Sequence, residues 1–332
     1  MSIESGSLSS GKLPSGRGVF FGEALFRFSA GQGDRLQSAS RVDFHLGGTE
    51  LNIAANLTAL GHPCGWVSVL PEGEAGELIM SRVQALGVSL KVLRAKGAPG
   101  WYLLEPGAAP RGDRVITRVA SVLAHQAKLE IDWSAMSAGN TVSFFHTSGI
   151  TAGLSEASTG EVERAMKAMK ANGALISYDF NYRKTIWSIE ESVARQKAIL
   201  PLIDVLFCSE RDLEAHFGTK SAKDVFAKSK VQSIVMSRRT LGETEYAVDV
   251  ITREGSASSA EFSFAMIDRI GMGDAMAAGY WAARTEGFDL KQTAEFAAAC
   301  GAMKATIKGD MALLKKREVL ALLENGYQAV VR

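Results

Sequence analysis

From Val19 onward, short apolar runs alternate with longer segments whose apolar residues recur at three- and four-residue spacing. Val19-Phe20-Phe21, followed by Gly22-Glu23, predicts a buried strand ending in a turn. Residues 50–61 carry helical spacing, with Gly61 placed to stop the helix. A strand over 65–70 and a helix over 75–86, closed by Gly87, repeat the alternation. It returns after Thr141, with strands predicted over 142–145, 174–178, 205–208 and 234–236 and helices over 156–171 and 190–200. Strands separated by helices of this length predict an α/β fold, a central and mostly parallel sheet covered by helices on both faces.

Two stretches, 27–46 and 97–121, break this pattern with Gly, Pro and short apolar pieces. Together they predict a small β-sheet at one edge of a single domain over 18–332. In a parallel α/β sheet ligands sit outside the carboxyl ends of the strands, so such a sheet would act as a lid. Residues 1–17 are rich in Ser and Gly, lack the apolar core of a secretory signal, and predict a flexible tail.

Composition narrows the function classes. Thirty-seven basic and 36 acidic residues leave a formal net charge of +1, so no general field draws the chain to nucleic acid or a membrane. No apolar run approaches the roughly 18 residues that cross a bilayer. Cys64, Cys208 and Cys300 are far apart and odd in number, which predicts reduced core thiols in a cytoplasmic protein. The five histidines show no zinc-ligand spacing, and His146 at a strand end predicts a structural, hydrogen-bonded role.

The sharpest chemical signal lies at residues 268–279, DRIGMGDAMAAG. The apolar stretch over 262–270 predicts a strand leading into Gly271-Met272-Gly273-Asp274, after which an Ala-rich helix begins. A glycine turn at a helix N-terminus exposes N–H groups that bind an anion, and Asp274 points into the same space. That combination suits phosphoryl transfer to a hydroxyl: amides hold the charge and the carboxylate takes the proton. A plain glycine turn beside a helix start gives the same pattern. The turn is not a Walker A loop, since Gly-Lys-Ser/Thr is absent, and no dinucleotide-binding Gly-x-Gly-x-x-Gly follows the first strand.

This turn, together with Gly47-Gly48-Thr49-Glu50-Leu51-Asn52, resembles the two signatures of the ribokinase/PfkB carbohydrate kinase family, over nearly the whole chain from Gly18. Three further stretches resemble its 2-keto-3-deoxygluconate kinase branch: 148–155 (SGITAGLS), 179–187 (DFNYRKTIW) and Lys304-x-Thr306-Ile307-x-Gly309-Asp310. The resemblance implies a ribokinase-like fold, ATP and Mg2+ as cofactors, and a homodimer paired through the lid. It implies that Asp274 is the catalytic base and that Gly271, Met272 and Gly273 form the anion hole. Gly48, Asn52, Tyr102, Arg118, Arg183 and Asp310 are implied on the substrate side, Arg183 facing either substrate or nucleotide phosphates. Ser209, Asp212, Ser237, Arg239 and Gly242 are implied on the nucleotide side.

The sequence departs from the family pattern at three places. Ser209-x-x-Asp212 stands where the family has Asn-x-x-Glu, so a carboxylate one methylene shorter reaches magnesium, if at all, through a water. Arg239 stands where a glycine of the nucleotide loop is expected, and lid residues 115–117 lack the branch's tyrosines. The expected reaction is ATP-dependent phosphorylation of a sugar or sugar acid, 2-keto-3-deoxygluconate first. Another acceptor (fructose, another hexose, a nucleoside) and a degenerate, non-catalytic sugar- or nucleotide-binding homologue stay open.

Overall fold

Strand β1 (Arg17–Phe21) runs through the middle of the main sheet with four of its five residues buried. The computed structural model describes residues 16–107, 110–137, 141–239 and 244–326. After β1 come β2 (Leu25–Ser29), β3 (Asp43–Gly47), α1 (Thr49–Ala59), β4 (Cys64–Pro71), α2 (Glu74–Ala85) and β5 (Ser89–Ala95). Next are β6 (Gly100–Glu105), β7 (Arg114–Val119), α3 (Ser134–Ser137), β8 (Val142–Ser148) and α4 (Gly149–Gly153). Then follow α5 (Glu156–Ala171), β9 (Leu175–Asp179), α6 (Ile189–Gln196), β10 (Val205–Phe207), α7 (Glu210–Phe217), α8 (Ala222–Lys228) and β11 (Ser233–Arg239). Strands β12 (Glu245–Thr252), β13 (Ser256–Ser258) and β14 (Phe262–Ser263) precede α9 (Met272–Glu286), α10 (Leu290–Ala305) and α11 (Lys316–Asn325).

The main sheet has the order β13-β12-β11-β10-β9-β8-β1-β4-β5, with β14 on β12. All pairings from β5 across to β11 are parallel, whereas β12 runs antiparallel to β11. Every residue of β4 and β8 is buried, as a parallel strand covered on both faces requires. Successive side chains point to opposite faces, so Phe20 and Phe144 join the core beneath α1, α9 and α10, while Phe21 and Phe145 join the core beneath α5. β1 lies between β4 and β8, where the chain order reverses. The crevice outside the carboxyl ends of β1 and β8 is therefore the expected ligand position.

Two sequence expectations are corrected. Only Phe262–Ser263 of the 262–270 stretch is a strand. Beyond it the N–H groups of Ile267 and Asp268 both donate to the Ala305 carbonyl at the end of α10, so the segment leaves the sheet. The helix expected over 190–200 stops at Gln196, and Leu200–Leu202 form a separate 3-10 turn carrying Pro201. Proline disfavours helix in the residue before it and offers no N–H.

Residues 27–46 and 97–121 contribute to a second sheet of order β3-β2-β6-β7. Its register aligns His45, Arg27, Tyr102 and Arg118 as direct cross-strand neighbours, so they share one face. Contacts from Arg27 to Asp268 and from Tyr102 to Asp310 show that this face looks onto the main body.

The site's helix is held from behind by close packing. Trp281 of α9 stacks flat on Phe144, with centroids 3.8 Å apart and planes 4° from parallel. A Cβ on Gly279 would lie 2.9 Å from the Cys300 sulfur and 3.0 Å from the Ala297 Cα on α10. Gly279→Val is therefore expected to lower stability by about 1–3 kcal/mol through overpacking, read as an earlier midpoint in urea unfolding.

Candidate active site

Helix α9 begins at Gly271, whose φ of +86° is open to glycine and strained for other residues. A Cβ there would also lie 2.0 Å from the Asp310 carbonyl oxygen, so glycine is required twice over. The Met272 N–H turns back to the Arg269 carbonyl at 3.3 Å, and its side chain is fully buried. The N–H groups of Gly271, Gly273 and Asp274 have no acceptor among the described residues. Nothing lies within 4 Å of a Cβ placed on Gly273, so the turn faces open space. A helix N-terminus with unpaired amides facing a cleft binds anions.

Asp274 lies in the first turn of α9 with 8% of its surface exposed. Its Oδ2 accepts from Asn52 Nδ2 at 2.7 Å, and Asn52 comes from α1, whose N-cap is Gly48. Burial pushes the Asp274 carboxyl up to about 7, opposed by the Asn52 bond and assisted by the charge of Asp310. A proton acceptor poised near neutrality is what general-base chemistry asks for. Asn52 is 3% exposed and its Oδ1 has no partner among the described residues, which leaves a buried acceptor beside the carboxylate.

Gly47 and Gly48 keep this corner tight. A Cβ on Gly47 would meet Asp310 Oδ2 at 2.4 Å, and one on Gly48, at φ +139°, would meet the Glu23 carbonyl at 2.2 Å. Asp310 is buried, accepts from the Tyr102 hydroxyl at 3.2 Å and lies 3.3 Å from Arg27 Nη1. Arg118 pairs with buried Glu23, which also accepts from Ser121 Oγ at 2.7 Å. The fold thus brings Gly48, Asn52, Asp274, Tyr102 and Asp310 together, with Arg118 joined to them through Glu23. Arg183 is exposed and bonds the Tyr182 carbonyl at 3.5 Å, and its charge reaches Asp274 and Asp179.

The expected nucleotide residues are scattered. Ser209 and Asp212 cap α7 as a reciprocal pair, with Ser209 Oγ donating to Asp212 Oδ2 at 2.7 Å. The sequence reading put Ser237 and Arg239 in a loop, but both extend β11 and pair in register with Val248 and Tyr246 of β12. Gly242 lies outside the described residues. Among the described residues no group of three His, Cys, Asp or Glu could hold a metal by itself.

Several charged groups of this corner were missed in the sequence, Glu23 among them. Arg27, 1% exposed, gives Nη2 to Asp268 Oδ2 at 2.5 Å. Asp268 and Glu50 lie within the quoted signatures, so their positions could have flagged them. Glu50 is fully buried, accepts from Ser148 at 2.6 Å and Thr151 at 2.8 Å, and is pushed by burial up to about 7. Asp179, at the end of β9, is pushed to about 8 by burial and then by the charges of Asp212 and Asp274. Only Arg27, in a stretch without a motif, left no trace.

A glycine turn with free amides, a near-neutral carboxylate and a sheet facing them meet at the carboxyl ends of the strands of a ribokinase-like fold. Residues 17–317 match the pfkB family carbohydrate kinase model, and the chain belongs to that family. The 2-dehydro-3-deoxygalactonokinase of Haloferax volcanii is 28% identical over 322 residues, covering 95% of this chain and 98% of that protein. Fructokinase-2 of Solanum lycopersicum is 28% identical over 334 residues, covering 95% and 98%. The solved structure of the 2-dehydro-3-deoxygluconokinase of Thermotoga maritima aligns with a TM-score of 0.88 at 29% identity, covering 93% of this chain and 99% of that one.

The raised carboxyls have a consequence for stability. Glu50, Asp179 and Asp274 hold their protons up to about 7, 8 and 7 when folded, whereas in the unfolded chain they lose them near 4. The folded state therefore binds more protons between these limits, so their contribution is full below about pH 4 and is lost as pH rises through 7–8. Asp274→Asn has no proton to lose there. Its unfolding free energy should gain on the wild type by about 2–3 kcal/mol between pH 5 and pH 8, measured by urea titration at both values. A gap that stays constant would mean that Asp274 ionises like an exposed carboxyl.

Proposed function

We propose that this chain transfers the γ-phosphoryl group of ATP to a hydroxyl of a sugar acid, with 2-keto-3-deoxygluconate (2-dehydro-3-deoxygluconate) as the first candidate. The observation that carries the reading is Asp274: buried, raised to about 7, bonded to Asn52, and set in the first turn after a glycine turn with unpaired amides. In this role Asp274 accepts the proton of the attacking hydroxyl, while the N–H groups of Gly271, Gly273 and Asp274 take the charge of the transferring group. In this reading Asn52 Oδ1 and Asp310 accept hydrogen bonds from sugar hydroxyls, and Gly48, packed against the Glu23 carbonyl, sets the start of the helix that carries Asn52.

ATP supplies the phosphoryl group when bound. Magnesium typically arrives with the nucleotide and needs only one or two protein carboxylates besides phosphates and water. Asp179 and Asp212 are the carboxylates available for that, and Ser209, Ser237 and Arg239 stay assigned to the nucleotide side. Arg118 is committed to Glu23 and Arg27 to Asp268 and Asp310. Arg183 is thus the cation for the substrate carboxylate or the phosphates. The second sheet works as the lid, keeping water from the reacting phosphoryl group.

A neutral hexose is the second reading. It is favoured by the compensated charges of Arg118 and Arg27 and by the 28% identity to a fructokinase. ADP release with Mg-ATP over a panel containing 2-keto-3-deoxygluconate, its galactonate epimer and fructose decides between them. Turnover of the two sugar acids, with fructose silent, is expected; turnover of fructose alone overturns the acid assignment. Asp274→Asn should lose about 10³-fold or more in kcat while sugar still shifts its melting temperature. Wild-type kcat/KM should rise with pH through about 7 as Asp274 gives up its proton.

The same reading includes a homodimer. Strand β7 is an edge of the lid, and Val115, Ile116 and Val119 on it are 53%, 46% and 36% exposed. An apolar edge strand calls for cover. Light scattering should give twice the chain mass of 35.5 kDa, and Ile116→Lys should shift the protein toward monomer.

A further inference from the structure

Lys304, in the last turn of helix α10, is the one buried lysine among the described residues, with 0% of its surface exposed. Its Nζ donates to the Ile307 carbonyl at 2.8 Å and to the Asp268 carbonyl at 3.1 Å. Those carbonyls belong to the two segments that frame the catalytic corner, the turn approaching Gly271 and the loop approaching Asp310. Asp268 joins the same segments from its other end: its Oδ1 accepts from the Ile270 N–H at 3.0 Å and its Oδ2 from the Gly309 N–H at 2.9 Å. Burial lowers the pKa of the Lys304 ammonium below the ordinary lysine value, with Arg27 adding to the shift and the charges of Asp268, Asp310 and Asp274 opposing it.

A buried ammonium costs several kcal/mol of desolvation, and a methionine of similar volume would pack there without that cost. The cation is nevertheless kept beneath a site where three carboxylates face two cations and a polyanionic nucleotide must enter. Its attachment to backbone carbonyls, rather than directly to a carboxylate side chain, ties the charge to the geometry of the turn.

We propose that Lys304 is a positioning residue for phosphoryl transfer: a built-in cation that clamps the Asp268–Gly273 turn to the 307–310 loop and so sets the amides of Gly271, Gly273 and Asp274 against the transferring group. The inference rests on the anion-binding role given to that turn and is independent of which sugar accepts. Lys304 touches neither substrate nor the reacting atoms; it acts through the backbone. Loss of its charge should therefore reduce kcat far more than it raises the KM for sugar, because misplacement of the amides is felt in the transition state.

The test uses the full chain and two variants. Lys304→Met keeps the stem and removes the charge, and Lys304→Ala leaves room for an added amine. With both folded by circular dichroism, kcat should fall by about 100-fold while the sugar KM changes by less than about three-fold. Methylammonium or propylammonium chloride should restore part of the lost rate to Lys304→Ala but none to Lys304→Met, and tetraethylammonium at equal ionic strength should restore neither. Without any acceptor, the increment in melting temperature that aluminium fluoride adds to MgADP should be present in the wild type and absent in Lys304→Met, with the MgADP increment retained. A wild type silent on every sugar but showing that increment overturns the acceptor assignment and leaves this inference to the fluoride comparison. Lys304→Met within about three-fold of wild-type kcat, Lys304→Ala indifferent to every amine, or failure of both variants to fold would each overturn it.

Discussion

The buried guanidinium of Arg27 is the contact on which the active-site geometry depends. It reaches across from the second sheet to Asp268 at 2.5 Å and Asp310 at 3.3 Å, and all three are almost wholly withdrawn from water. Asp268 carries the backbone that turns into Gly271, and Asp310 lies under Gly47 and beside Tyr102. One side chain therefore ties the second sheet, the glycine turn before α9 and the loop carrying Asp310 to one another. The longer contact has ion-pair distance without hydrogen-bond alignment, since Asp310 Oδ1 counts no hydrogen-bond partner among the described residues. Arg27 thus holds Asp268 firmly and Asp310 loosely, and Asp310 keeps acceptor capacity for a sugar hydroxyl.

Charge burial on this scale is expensive, and the site uses the expense. Glu50, Asp179 and Asp274 all keep their protons to higher pH than exposed carboxyls do, with burial the largest cause in each. Their environments nevertheless differ in kind. Glu50 receives two hydroxyl donors and sits against Gly22, an arrangement that supports α1 behind the glycine pair. Asp179 faces Asp212 and Asp274, so its carboxyl resists ionisation until a cation or a cationic side chain approaches. Asp274 alone combines a raised pKa with open space at the neighbouring Gly273 and a bond to a residue that can also grip substrate. Geometry, more than the size of the shift, separates Asp274, the proposed base, from its two neighbours.

What could be read from the chain was whatever local periodicity or a short motif encodes. The helix at Glu156–Ala171 matches its expected range, and Gly61 and Gly87, at φ +103° and +77°, follow the helices that they were expected to stop. The 262–270 stretch misled because only Phe262 and Ser263 pair in the sheet, while the backbone of Ile267 and Asp268 bonds to the end of α10, a partner distant in sequence. At the site, Asp274, Gly271 and Asn52 were legible because backbone geometry and chemistry coincide in a few consecutive residues. Arg27 was not: its partners lie 241 and 283 positions away, and nothing in the residues around it marks an inward-facing cation. Arg118 was found, yet its commitment to Glu23 could not be read, since cross-lid pairing depends on the register of β6 and β7 with β2.

That commitment bears on the proposed choice of substrate. A lid arginine neutralised by Glu23 contributes shape and hydrogen-bonding order to the pocket, and its charge does little to attract a carboxylate. Under the proposed function, selectivity for an acid would then come from a cation with no carboxylate partner, and Arg183 fits because among the described residues its side chain makes only a weak 3.5 Å contact to a neighbouring carbonyl. It lies after β9, at the carboxyl edge of the sheet, while Arg118 belongs to β7 of the second sheet. A guanidinium at that edge can serve either the substrate's carboxylate or the nucleotide's phosphates, and both are planar or tripodal anions that suit bidentate donors. Acid specificity and phosphate neutralisation would therefore draw on the same side chain, which ties the choice of sugar to the placement of ATP.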